Sequence, residues 1–232
     1  MKDVTGQLAS KLPDGWIEST DFVDYRHPDV QAFAARALTG MEGTTDTEKA
    51  VCLFNAVRDT IRYDPYQIGF DPDTYKASHI AQLTAAFCVP KAILLAACLR
   101  SVGIAAGVGF ADVKNHLNSP KLADLMETDM FHYHGYVALK IDGKVFKVTP
   151  TFNKDLCERF GVQPIEFDGT ADALFHEYDA QKRQHMEYVK DRGIFEDPPM
   201  ADVLDDLGQI YSKLKSIAEG AGRPEHDPDF AA

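Results

Sequence analysis

Hydrophobic and polar positions follow two rhythms along this chain, helical in the first hundred residues and strand-like after them. Val30, Phe33 and Ala37 keep helical spacing between Pro28 and Gly40 and predict a helix over residues 31–38. Thr45-Asp46-Thr47-Glu48 is a capping-box pattern, and Ala50, Leu53, Phe54, Val57 and Ile61 mark the buried face of the helix it opens. Residues 63–72 are rich in turn formers and read as a loop. Residues 88–101 are apolar nearly all round, which predicts a helix inside the core that ends near Gly103. A strand is expected over 104–110, followed by a polar, less regular stretch over 112–125. Residues 131–141 read as a strand, Asp142-Gly143 as a tight hairpin turn, and 144–149 as the returning antiparallel strand. Beyond Pro164 the pattern predicts a short strand over 165–167 and a polar helix over 179–190. A last amphipathic helix uses Val203, Leu204, Leu207, Ile210, Tyr211, Leu214 and Ile217. Helices first and an antiparallel sheet after, around one buried helix, define an α+β fold. The expected organisation is a main domain over 12–195, a helical extension over 196–218 and a disordered Gly/Pro/Asp-containing tail over 219–232.

Composition narrows the partners. With 24 basic against 36 acidic residues the formal charge is −12, which repels phosphate backbones and anionic lipid. Nucleic acid and membrane surfaces are therefore not expected partners. The first residues show no apolar run after Lys2, and the apolar stretch 89–108 is interrupted by Arg100, Ser101 and Gly103, so neither a signal peptide nor a membrane span is predicted. Four cysteines without a CxxC pair indicate free thiols in a reducing compartment, and the expected location is cytoplasmic. No His-x-x-x-His spacing occurs; neither a metal nor an organic cofactor is expected.

Candidate chemistry centres on Cys88. Pro90 is tolerated only in a first helical turn, so the helix starts at or just before Cys88. A thiol there lies in the partial positive field of the helix N-terminus, which lowers its usual pKa of about 8.5. The unpaired N–H groups of that turn can also hold an oxyanion. With Asp142-Gly143 as the turn, His134 falls opposite Thr151 and Tyr136 opposite Thr149, and His132 and His134 share one face. Pattern alone does not choose between the two histidines. Cys98 reads as a core residue, Cys52 and Cys157 have no chemistry beside them, and His116, His176 and His185 lie in polar segments. Tyr63 and Tyr66 read as packing residues; His79 could line a cleft beside the thiol.

These pieces together carry a resemblance. Cys88 and the run from Lys91 to Ile104, ending Leu99-Arg100-Ser101-Val102-Gly103-Ile104, resemble the cysteine helix of the transglutaminase-like superfamily. His134-Gly135-Tyr136-Val137-Ala138-Leu139 resembles its histidine strand, and Asp142-Gly143-Lys144-Val145-Phe146 the hairpin after it. The resemblance covers roughly residues 45–153. It implies a papain-like core with Cys88 as nucleophile and His134 as general base and then general acid. The family's third residue is usually an Asp, and this chain has Thr149 at its place, in Val148-Thr149-Pro150-Thr151. A threonine hydroxyl can orient an imidazole but brings no charge; Asn153 is the substitute orienter. The implied activity is acyl transfer through an acyl-Cys88 thioester, with hydrolysis of a small amide or peptide substrate preferred over transfer to an amine. The rival readings are a catalytically degenerate binding module and a metal-dependent hydrolase using His132 and His134. The pattern leaves the oligomeric state open.

Overall fold

The structure, a computed structural model, describes residues 12–115, 119–174, 186–220 and 230. Helix α1 (Pro28–Ala37) carries Pro at its start, and the His27 ring accepts from the Asp29 N–H. Helix α2 (Asp46–Thr60) forms the predicted capping box, the Thr45 hydroxyl accepting from the Glu48 N–H while the Glu48 carboxylate accepts from the Thr45 N–H. The segment after α2 holds a two-residue strand β1 (Arg62–Tyr63), two 3-10 turns and the short helix α3 (Ala77–Ile80). It closes with β2 (Ala85–Ala86), which pairs parallel with β1. Helix α4 (Cys88–Ser101) follows, and every residue from Cys88 to Arg100 is buried, as an all-round apolar helix must be.

A four-stranded antiparallel sheet receives α4. Its strands are β3 (Ala106–Asn115), β4 (Met130–Ile141), β5 (Lys144–Val148) and β6 (Met186–Phe195), in the order β5-β4-β3-β6. Val108, Phe110, Val137 and Leu139 share one core with Ile93, Leu95 and Leu99 of α4. Asp142 and Gly143 both take positive φ, the geometry of a two-residue hairpin turn, and the register matches the sequence pattern from Ile141↔Lys144 to Val137↔Val148. The described residues also form helices α5 (Pro120–Met126), α6 (Lys154–Phe160), α7 (Met200–Ile210) and α8 (Ser212–Glu219). The fold is α+β, with helices packed around a small antiparallel sheet.

Four local expectations are corrected. The described part of the predicted polar helix 179–190, from Met186 on, is strand β6, because Met186 and Tyr188 alternate inward beside β3; residues 179–185 lie outside the described residues. Strand β3 runs past Phe110 through Asp112 to Asn115, the charge of Asp112 being compensated inside the sheet. Residues 165–167 form no strand; instead Ala173 bridges to Val148. The amphipathic stretch around Tyr211 is two helices, since Tyr211 leaves helical geometry. Its phenol bonds the backbone of β4, accepting from the His132 N–H and donating to the Met130 carbonyl.

Two buried cations fasten α4. The Lys91 ammonium, fully buried, donates to the carbonyls of Arg58, Ile61 and Thr151 at 2.9, 2.6 and 2.7 Å. Arg100 donates to the carbonyls of Ala106, Glu18 and Glu196 at 2.9, 2.9 and 2.6 Å. Replacing Lys91 by Met would keep the apolar stem and strand three buried carbonyls. Lys91→Met is expected to cost on the order of 3 kcal/mol, read as a lower urea midpoint at unchanged slope. A loss below about 1 kcal/mol would mean those carbonyls find other donors.

Candidate active site

The first turn of α4 is left open by its own sequence. Phe87, its cap residue, makes no side-chain cap bond, so the N–H groups there are free for another acceptor. The Cys88 sulfur lies at this turn, near enough to the N–H groups of Gly135, Val89 and Cys88 itself for them to pull its pKa down. Strand β4 reaches this turn because residue 135 is glycine: a Cβ there would lie 2.9 Å from Cα of Val89 and 3.1 Å from the Cys88 carbonyl oxygen. The preceding residue, His134, lines the same cavity as the thiol. Cys88, His132 and His134 line one cavity of about 50 Å³, otherwise walled by apolar and aromatic side chains including Tyr63, Phe87, Phe131 and Tyr211. A second cavity of about 280 Å³, which His79 lines, shares Ile68 and Leu214 with the first.

Burial dominates the ionisation of the pair. Cys88 is 7% and His134 4% exposed. Desolvation pushes the thiol up to about 11 despite the three N–H donors, and pushes the imidazole down to about 4. The resting pair is thus a neutral thiol and a neutral imidazole, not the ion pair that the helix dipole alone suggests. Cys98, buried without such donors, is pushed up to about 12.

The two candidate orienters occupy different places. Thr149 is buried and lines, with His134, a small cavity on the other side of the imidazole. Asn153 precedes α6 without a side-chain cap bond to it, and its side-chain oxygen instead accepts from the Tyr63 N–H at 3.0 Å, which ties β1 to the loop after β5.

His132 reaches the same thiol cavity but has a different partner. A β-bulge sets His132 and Tyr133 against Asp112, with Tyr133 at φ 56°, so the expected shared face of His132 and His134 is interrupted. The His132 Nδ1 lies 3.3 Å from the Asp112 carboxylate, which also accepts from Arg192 Nε at 2.6 Å. Arg192 stacks on the Tyr133 ring at 3.9 Å, and the Tyr133 hydroxyl donates to Asp206. Sequence reasoning missed Asp112 and Arg192. A lone acid continuing an apolar strand was the available signal for Asp112; nothing in the local pattern marks Arg192. Among the described residues no cluster of His, Cys, Asp or Glu is arranged to hold a metal, and no helix is long and apolar enough to cross a membrane. His116, His176 and His185 lie outside the described residues.

An α+β core with a cysteine opening its buried helix and a histidine on the adjoining strand defines a class of fold and site. The chain matches the family model of the transglutaminase-like superfamily over residues 32–150, half of its length, and belongs to that superfamily. Its members are commonly cysteine-based hydrolases or acyltransferases. A crystal structure of a candidate protease from Parabacteroides distasonis is 17% identical, with 58% of this chain and 26% of that chain covered and a TM-score of 0.37. The matched region is therefore about a quarter of that protein. No curated protein matches the chain.

Two measurements follow from the buried pair. Alkylation of Cys88 by iodoacetamide is expected to climb steadily from pH 7 to pH 10, with no acidic plateau; a plateau below about pH 6 that His134→Ala removes would reveal a preformed ion pair instead. His134 also contributes to stability. Its folded pKa of about 4 lies below the unfolded value of about 6.5, so unfolding takes up a proton between these pH values. Stability from this group is complete above about 6.5 and falls by about 3 kcal/mol as the pH drops to 4. Comparing wild type with His134→Gln by urea denaturation across that window isolates the effect. Parallel curves would refute it.

Proposed function

We propose that the protein is a thiol amidase or peptidase that works through an acyl-Cys88 thioester. The observation that carries this reading is a thiol at the uncapped first turn of a buried helix that shares an apolar cavity with His134. Because both groups rest neutral, His134 takes the thiol proton as sulfur attacks the carbonyl carbon, which is general-base activation. The C=O bond opens to a tetrahedral oxyanion, which the N–H groups of the α4 first turn are placed to stabilise. The imidazolium then gives its proton to the leaving amine, and the C–N bond breaks to leave the thioester. Water, deprotonated by His134, attacks the thioester; the acid leaves and the thiol is restored.

The walls favour a small apolar acyl group. The cavity over Cys88 is about 50 Å³ and presents mostly carbon, whereas the neighbouring cavity of about 280 Å³ is larger and offers Gln67, Thr74 and His79 to the remainder of the substrate.

The direct test is a panel of amides and short peptides with apolar acyl groups, followed by intact-mass detection of acylated protein. Turnover with a hydroxylamine-sensitive adduct on Cys88 is expected, and both are lost in Cys88→Ala. Binding without adduct or turnover would favour a second reading, a degenerate binding module, for which the threonine at position 149 is the motivating observation. Thr149→Asp discriminates further. A carboxylate beside His134 would stabilise the imidazolium, and the pH midpoint of Cys88 alkylation is expected to fall by about one unit or more. An unmoved midpoint would place residue 149 out of reach of the pair.

A further inference from the structure

Behind the imidazole lies a cavity of about 10 Å³, lined by His134, Thr149 and Thr151 and otherwise mainly apolar, with Phe152, Val162 and Ile165 among its walls. All three polar residues are buried, at 4%, 1% and 2% exposure. Three of their atoms, His134 Nε2, Thr149 Oγ1 and Thr151 Oγ1, have no hydrogen-bond partner among the described residues. A buried polar atom without a partner costs roughly 1–3 kcal/mol, so three around one cavity would form an expensive cluster. A cavity of this size holds one water molecule, and a buried water needs two to four polar partners. The three atoms supply that number.

We propose that this cavity is a built water site and that the water, held by Thr149 and Thr151, orients His134 in place of a carboxylate. The proposal rests on the reading of His134 as the base and adds Thr151 as a positioning residue. The water accepts from the Nε2–H of the neutral imidazole and donates to the threonine oxygens, each of which has lone pairs to receive it. This selects the tautomer whose Nδ1 carries the free lone pair, the form able to accept a proton. A neutral water adds no charge, so the imidazolium gains only dipolar support. The backbone carbonyl of Thr151 accepts from the Lys91 ammonium, which fixes that side of the site to the nucleophile helix.

The test reads the imidazole without requiring a substrate. In the full-length wild-type protein, nitrogen-15 NMR of His134 is expected to show the Nε2–H tautomer predominating, and a high-resolution crystal structure to show one water between His134 and the two threonines. Thr149→Val and Thr151→Val, which keep shape and remove one hydroxyl each, are each expected to lower the ratio of Nε2–H to Nδ1–H about fivefold, the size of one neutral hydrogen bond. Thr→Ser at either position should restore it. A dry cavity, a direct Nε2–H bond to a protein atom, or a ratio unmoved by both valine variants would overturn the proposal. If the tautomer responds as expected while Cys88 never acylates, the water site stands and the amidase reading fails; the reverse result separates them equally.

Discussion

The arrangement of this molecule hangs on one buried ammonium. Helix α2 ends at Thr60, and the carbonyls of Arg58 and Ile61 at that end have no helical partner to accept from. Lys91 donates to both, as cations near helix C-termini do, and spends its third proton on the Thr151 carbonyl. Burial pushes its pKa down to about 7, against which three carbonyl oxygens favour the charged form. The result is a fixed triangle between α4, α2 and the loop that follows the β4–β5 hairpin. Since Lys91 lies one turn beyond Cys88, the triangle sets the height of the thiol against Thr149 and Thr151.

Arg58 and Arg100 extend the same logic. An acidic protein places three of its cations in the interior, where each satisfies backbone carbonyls or carboxylates that the fold leaves unpaired. Arg58 donates to the Ile165 carbonyl and pairs with Asp59 and Glu166. Arg100 gathers carbonyls from the start of β3 and from segments before α1 and after β6. The Leu99-Arg100 pair in the sequence pattern thus has a mechanical meaning: leucine faces the core, while arginine holds the turn into the sheet.

What could be read from the sequence was whatever is locally encoded. The capping box of α2, the all-round apolar α4, Pro90 in its first turn and the Asp142-Gly143 hairpin each carry their own signal, and the hairpin also sets the β4–β5 register. Strand β6 was not legible, because its inward residues, Met186 and Tyr188, follow a polar stretch and its partner β3 lies far away in sequence. Asp112 hid the continuation of β3 for a similar reason: its compensation by Arg192 is long-range. The preference for His134 over His132 beside Cys88 came only from the family resemblance, and both histidines line the thiol cavity. That burial outweighs the helix dipole at the thiol needed the three-dimensional surroundings.

The two histidines of β4 show how little sequence distance is needed to separate environments. Without a bulge, His132 and His134 would share a face and a solvent. With Tyr133 in the left-handed region, one extra residue enters β4 opposite Asp112, and a second irregularity lets Arg192 of β6 meet the same carboxylate. His132 is thereby placed in a network of a carboxylate, a guanidinium and a partly exposed phenol, where charge is balanced by charge. His134, two residues on, is buried, and no Asp, Glu, Lys or Arg is among the described residues lining the two cavities beside it. The bulge therefore distinguishes the two: His132 meets the charges of Asp112 and Arg192, whereas His134 lies between the thiol cavity and the buried hydroxyls of Thr149 and Thr151.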